Sequence, residues 1–86
     1  VNASSNKLYR TFLCFYSGIG NLEIVKFLIN EKGADINKPN NYRETPLFIA
    51  SKKGYLEIIK LLIEKSADIN KSNNDGDTPL YVASLI

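Results

Sequence analysis

Internal repetition constrains this chain more than any other feature of its sequence. When Thr11, Thr45 and Thr78 are placed over one another, the residues that follow each threonine fall into register, at a spacing of 34 residues and then 33. In that register Gly20 matches Gly54, and the string Ala-Asp-Ile-Asn occurs at the same place in both of the first two units. Self-similarity at such a period indicates a solenoid, in which each unit packs mainly on its neighbours.

The central unit shows the local physics of the repeat. Thr45 followed by Pro46 predicts the start of a short helix, because threonine caps a free N–H and proline fits the first helical position. Gly54 ends that helix, since glycine adopts a left-handed conformation without steric cost. A second helix over 56–65 is apolar over most of its circumference. Such a helix needs neighbours on several sides.

The connectors between units contain two positions where glycine is expected but absent. Asp75-Gly76 is a strong turn signal, and the preceding connector has Arg43 in the place of Gly76. Ser66 similarly stands where the first unit has Gly33. If these positions require a positive φ, each non-glycine residue costs roughly 1 kcal/mol.

The repeated residues resemble the ankyrin-repeat family over nearly the whole chain from about Lys7. The resemblance implies an all-α solenoid of antiparallel helix pairs joined by β-turn or hairpin loops. The residues that carry it are Thr45-Pro46-Leu47, Ala50, Gly54, the Leu/Ile-rich helix from Leu56, Ala67-Asp68-Ile69-Asn70, their partial copies at Gly20–Val25 and Gly33–Asn37, and Asp75–Leu80.

The register divides the chain into four parts. We expect a disordered lead-in over 1–6, a degenerate first repeat over 7–39, a complete second repeat over 40–72 and a truncated third repeat over 73–86. Phe48 and Tyr81 stand where the family usually has histidine, so packing must replace a hydrogen bond there. Ile19, Leu85 and Ile86 look like uncovered ends, which indicates either a fragment of a longer array or ends buried against another copy.

Composition argues against catalysis. The 86 residues have a formal charge of +2, one cysteine and no histidine, which favours neither nucleic acid nor a membrane surface and removes the commonest acid–base group and metal ligand. We interpret Cys14 as a packed thiol, and Asp35 and Asp68 as turn residues. We therefore predict no enzyme activity, cofactor or metal, and a cytoplasmic or nuclear location.

The resemblance implies that the turn tips and the exposed end of the short helix bind another protein. Tyr42 stands out, because tyrosine brings a large rigid surface with a hydroxyl group; packing on its own turn is the open alternative. By register the predicted partner-binding residues are Asn41, Tyr42, Glu44, Lys52, Lys53, Asn74, Asp75 and Asp77, with Lys7, Leu8, Arg10 and Ile19 in the first unit.

Two other functions stay open from the sequence. The segment could be a structural spacer or a self-association surface, through its apolar terminal repeats, within a longer protein that carries an enzyme domain elsewhere. The residues up to Asn70 also resemble sites of asparaginyl hydroxylation in ankyrin repeats, although a scaffold role for Asn70 is favoured.

Overall fold

The computed structural model describes residues 12–85, and within them every regular element is an α-helix. Helix α1 occupies residues 12–19 of the described part. It is followed by α2 (Leu22–Asn30), α3 (Pro46–Lys53), α4 (Leu56–Glu64) and α5 (Pro79–Ala83). The predicted all-α class is confirmed. The expected lead-in over 1–6 lies outside the described residues, and the repeat boundaries stay a prediction.

The predicted start and end of the short helices are confirmed. The Thr45 hydroxyl oxygen accepts a hydrogen bond from the Phe48 N–H at 3.1 Å, and Pro46 is the first residue of α3. Thr78 does the same for Tyr81 at 3.2 Å, at the start of α5. Gly54 ends α3 with φ 74°. Both short helices therefore begin where threonine satisfies a backbone N–H that has no partner within the helix.

The two longer helices, α2 and α4, are each followed by a left-handed residue, as the sequence predicts. Ser66 has φ 71°, and the next N–H, of Ala67, donates to the carbonyl of Leu62 at 2.9 Å. In the first unit Gly33 has φ 62°, and the Ala34 N–H donates to Leu28 at 3.0 Å. The segment from the end of α2 to its left-handed residue is one residue longer than the corresponding segment after α4. This accounts for the change in spacing from 34 to 33.

Helix α3 lies at the centre of the packing. It contacts both α4 and α5, and α4 in turn contacts α2. Helix α1 approaches α3 closely at Gly18, where an added Cβ would lie 3.1 Å from Ile49. One buried cluster runs through the first and second units, formed by Leu13, Val25, Leu28, Leu47, Ala50, Ile58, Leu61, Leu62 and Ala67.

One side of α4 has no covering element among the described residues. Ile58, Leu61 and Leu62 are buried, whereas Leu56 and Ile63 are exposed. The expectation that α4 has neighbours on several sides is met toward α2 and α3. None of the helices in the described range has the length and apolar character to cross a membrane.

Candidate functional site

Two turns with the same construction project between the helix pairs. We name residues 40–44 tip 1 and residues 73–77 tip 2. In tip 1 the Arg43 N–H donates to the carbonyl of Asn40 at 3.1 Å, and the Asn40 N–H donates to that of Glu44 at 2.9 Å. Arg43 has φ 63°, which confirms the left-handed conformation predicted for it. A turn followed by one left-handed residue is a common three-residue hairpin loop.

Tip 2 repeats this geometry one period later. The Gly76 N–H donates to the carbonyl of Asn73 at 3.1 Å, and the Asn73 N–H donates to that of Asp77 at 3.0 Å. Gly76 has φ 82°. The two tips therefore share one backbone conformation, although one has arginine and the other glycine at the left-handed position.

An asparagine side chain fixes each tip from within. The Asn40 Oδ1 atom accepts the N–H groups of Tyr42 and Glu44 at 2.9 and 3.0 Å. The Asn73 Oδ1 atom accepts those of Asp75 and Asp77, both at 3.0 Å. Sequence reasoning missed both asparagines. Their separation by one repeat period was the signal that could have found them.

The tips also touch each other. The Asn74 N–H donates to the Tyr42 carbonyl at 3.4 Å, which is long for a hydrogen bond. The Tyr42 side chain is 69% exposed. It is therefore not packed on its own turn, and a partner can reach it.

The Glu44 carboxylate joins tip 1 to the end of α3. Its Oε2 atom lies 3.1 Å from the Nζ atom of Lys52, and its Oε1 atom accepts from the Asn40 amide at 3.2 Å. Lys52 Nζ also lies 5.7 Å from the centre of the buried Phe48 ring. Lys52 therefore forms an ion pair within the candidate site.

The other predicted positions are spread around these contacts. Asn41, Lys53, Asn74 and Asp75 are exposed, and Asp77 is half-buried. In the first unit Ile19 is exposed, whereas the predicted positions at 7, 8 and 10 lie outside the described residues. The structure thus brings Tyr42, Glu44, Lys52 and Asn74 together. The binding role of all eight positions stays a prediction.

The polar residues weighed for chemistry have structural partners. The Cys14 Sγ atom is buried and lies 3.7 and 3.6 Å from the carbonyl oxygens of Lys38 and Glu44. The side chains of Asp35 and Asp68 each accept the N–H two residues on, at 3.0 and 2.9 Å. These contacts confirm the packed thiol and the turn residues. Among residues 12–85, no group of three or more His, Cys, Asp or Glu side chains could hold a metal ion.

Comparison with known proteins agrees with this geometry. A family model described as ankyrin repeats, in three copies, matches residues 11–85. Comparison with curated protein sequences found no match. The family match covers all five helices and both tips.

Proposed function

The chain belongs to the ankyrin-repeat family, and from that premise we propose that it binds a partner protein through its two tips and the end of α3. Ankyrin repeats generally mediate protein–protein interactions, and they are typically non-catalytic. We extend this general role to the particular surface formed by Asn41, Tyr42, Glu44, Lys52, Lys53, Asn74, Asp75 and Asp77.

The observation that carries this proposal is the set of side-chain contacts that hold the tips in place. Each tip is held by an asparagine that accepts two backbone N–H groups. Tip 1 is further tied to α3 through the Glu44–Lys52 ion pair. A surface that is ordered before binding loses little conformational entropy when the partner arrives. The exposed Tyr42 ring on such a support has the character of a binding hot spot.

Charge on the tips indicates what the partner surface looks like. Tip 1 carries Arg43 beside Tyr42, and tip 2 carries Asp75 and Asp77. Lys52 is already paired with Glu44, so Lys53 is the cation of α3 that remains for a partner. We therefore propose a partner with an acidic group facing Arg43 and Lys53, and a basic group facing tip 2. Charge complementarity of this kind fixes the orientation of the partner more than it increases the affinity of the complex.

The test is quantitative capture of proteins by the immobilised chain, with two matched triple variants. The first replaces Tyr42, Lys52 and Lys53 by alanine. The second replaces Phe27, Lys26 and Lys60, which are an exposed aromatic residue and two exposed lysines on α2 and α4. Circular dichroism first checks that both variants keep their helicity.

We expect the tip variant to lose its specific partners and the control variant to keep them. For an isolated partner, loss of a hot spot of about 2 kcal/mol lowers affinity by roughly 30-fold. Capture that survives the tip variant, or falls equally with both variants, would show that the partner uses another face.

A further inference from the structure

Tip 2 contains the only Asp-Gly pair in the sequence, Asp75-Gly76. The backbone nitrogen that follows an aspartate can attack the carboxyl carbon of that aspartate, and glycine hinders the attack least because it has no side chain. Asp75 and Gly76 are both exposed, and a Cβ added at Gly76 would meet nothing within 4 Å. The pair is therefore accessible, and its surroundings leave room for a change in the backbone.

The other aspartates lack one or more of these features. Asp35 and Asp68 are each followed by isoleucine, and their carboxylates accept the N–H two residues on, at 3.0 and 2.9 Å. Asp77 is half-buried and precedes Thr78, a β-branched residue. The Asp75 carboxylate accepts no hydrogen bond within the described part of the chain. Asp75 is thus the aspartate whose side chain and following nitrogen are least hindered.

The hydrogen bonds of tip 2 restrain this pair. The Gly76 N–H donates to the Asn73 carbonyl at 3.1 Å, and the Asn73 Oδ1 atom accepts the N–H groups of Asp75 and Asp77, both at 3.0 Å. An amide nitrogen must lose its proton before it attacks, and one that donates to a carbonyl loses its proton less readily. Reaction therefore requires tip 2 to open. Local opening of an exposed turn costs less free energy than unfolding of the whole chain.

We propose that Asp75 is a site of isoaspartate formation and that Asn73 controls its rate by keeping tip 2 closed. In the open tip the Gly76 nitrogen bonds to the Asp75 Cγ atom. One oxygen of the protonated carboxyl group leaves as water together with the amide proton, and a succinimide ring remains. Water then adds to one of the two ring carbonyls. Opening at Cγ restores aspartate, whereas opening at the backbone carbonyl leaves Gly76 joined through Cγ as isoaspartate, with no net change in mass.

Isoaspartate at this site disrupts tip 2, because it places one more carbon atom in the backbone between Asp75 and Gly76. The turn bond from Gly76 to Asn73 and the two bonds that the Asn73 side chain accepts depend on the normal spacing. Tip 1 has no comparable site, since Tyr42 and Arg43 stand at the positions of Asp75 and Gly76. The modification thus alters one tip and leaves the other intact.

The test is incubation of the intact chain at physiological pH and temperature, followed by digestion with trypsin. Cleavage after Lys71 releases tip 2 in a peptide of residues 72–86. Isoaspartate at Asp75 changes the retention time of this peptide but not its mass, whereas deamidation of Asn73 or Asn74 changes the mass. Methylation by an isoaspartyl methyltransferase provides a second readout. We expect isoaspartate to accumulate at Asp75 with time and to exceed that at the other aspartates.

Three variants test the control by the tip. Asn73→Ala removes the side-chain acceptor of tip 2 and should raise the rate about five- to thirtyfold, the usual effect of losing one or two hydrogen bonds. Asn40→Ala is the matched control, because Asn40 fixes tip 1 in the same way, and it should leave the rate at Asp75 unchanged. Gly76→Arg gives tip 2 the residue that tip 1 holds at φ 63°. It should suppress the product, since a side chain now hinders the attacking nitrogen.

Two results would overturn the proposal. The first is isoaspartate at Asp75 that does not exceed the amount at Asp77, even in the Asn73→Ala variant. The second is an equal rate at Asp75 in the parent chain, Asn73→Ala and Asn40→Ala, which would show that tip 2 does not control the reaction.

An effect on binding rests on the proposed function and is measured separately from the modification. Chain enriched in isoaspartate should lose partners that fresh chain captures. Isoaspartate that forms as expected without any loss of capture would support the modification site and remove tip 2 from the proposed binding surface.

Discussion

At the scale of single residues, two left-handed positions carry ordinary side chains. Arg43 has φ 63° and Ser66 has φ 71°, in places where the neighbouring repeat has glycine. In this conformation the Cβ atom crowds the following carbonyl oxygen, which costs about 1 kcal/mol or more per residue. The strain is local, because Arg43 is exposed at the surface of tip 1.

Arg43→Gly is therefore expected to stabilise the chain. The gain from removing the strain exceeds the entropy that glycine adds to the unfolded state, so the free energy of unfolding should rise by about 0.5–1 kcal/mol in equilibrium urea denaturation. Asn41→Gly is the control, since Asn41 lies in the same tip and does not have a positive φ. It should lower stability slightly. A decrease with both variants would contradict the strain at Arg43.

These residues also show how far sequence reasoning reaches at this scale. Arg43 and Ser66 were predictable because another repeat displays the glycine that the backbone prefers. The two hydrogen bonds that the Asn40 side chain accepts were not predictable, since an asparagine in a turn is compatible with several local hydrogen-bond patterns. The Glu44–Lys52 pair was not predictable either. Eight residues separate its members, and only the return of the chain from tip 1 into α3 brings them together.

At the scale of helices, Gly20, which follows α1, lies against Tyr55 at the start of α4. It has φ 81°, and an added Cβ would lie 3.0–3.2 Å from the ring of Tyr55. Tyr55 immediately precedes α4 and provides no side-chain cap, whereas the equivalent Asn21 caps α2 through its bond to the Ile24 N–H. The Tyr55 ring thus contacts the preceding repeat instead of capping its own helix.

Comparing Gly20→Ala with Gly33→Ala separates backbone strain from this contact. Both glycines are left-handed, but a Cβ at Gly33 would meet nothing within 4 Å. Gly33→Ala should cost about 1 kcal/mol, and Gly20→Ala about 1 kcal/mol more, because the Tyr55 ring must move. Thermal and urea unfolding measure both. The extra cost should shrink in a Tyr55→Leu background. Equal costs for the two glycine variants would exclude a role for the Tyr55 contact.

The helices themselves were predicted better than their surroundings. Threonine and proline at 45 and 46 specify the start of α3 through local hydrogen bonding, so no tertiary information is needed. The apolar surface of α4 indicated that it needs neighbours on several sides. It could not indicate which side stays open. Which side stays open depends on what packs beyond α5. A hydrophobic pattern shows that a helix needs an apolar neighbour, but it does not show whether that neighbour is present.

At the scale of the whole molecule, the contacts form a linear chain of interfaces. Helix α4 packs on α2, α3 packs on α4, and α5 packs on α3. In such a stack, stability is approximately the sum of the unit stabilities and the interfaces between neighbours. The second unit takes part in both contacts between units, through α4 with α2 and through α3 with α5. Its loss would leave the first and third units without their only neighbours among the described helices.

The consequence is an asymmetric response to core mutations, which hydrogen exchange can resolve. Ile58→Val in α4 should remove about 0.5–1.5 kcal/mol of protection from amides of both α2 and α5, because neither persists when the second unit opens. Val82→Ala in α5 should reduce protection in α5 and leave α2 nearly unchanged, since the third unit can open alone. If both variants lower protection uniformly across all helices, the chain unfolds as one cooperative unit and the interfaces do not act separately.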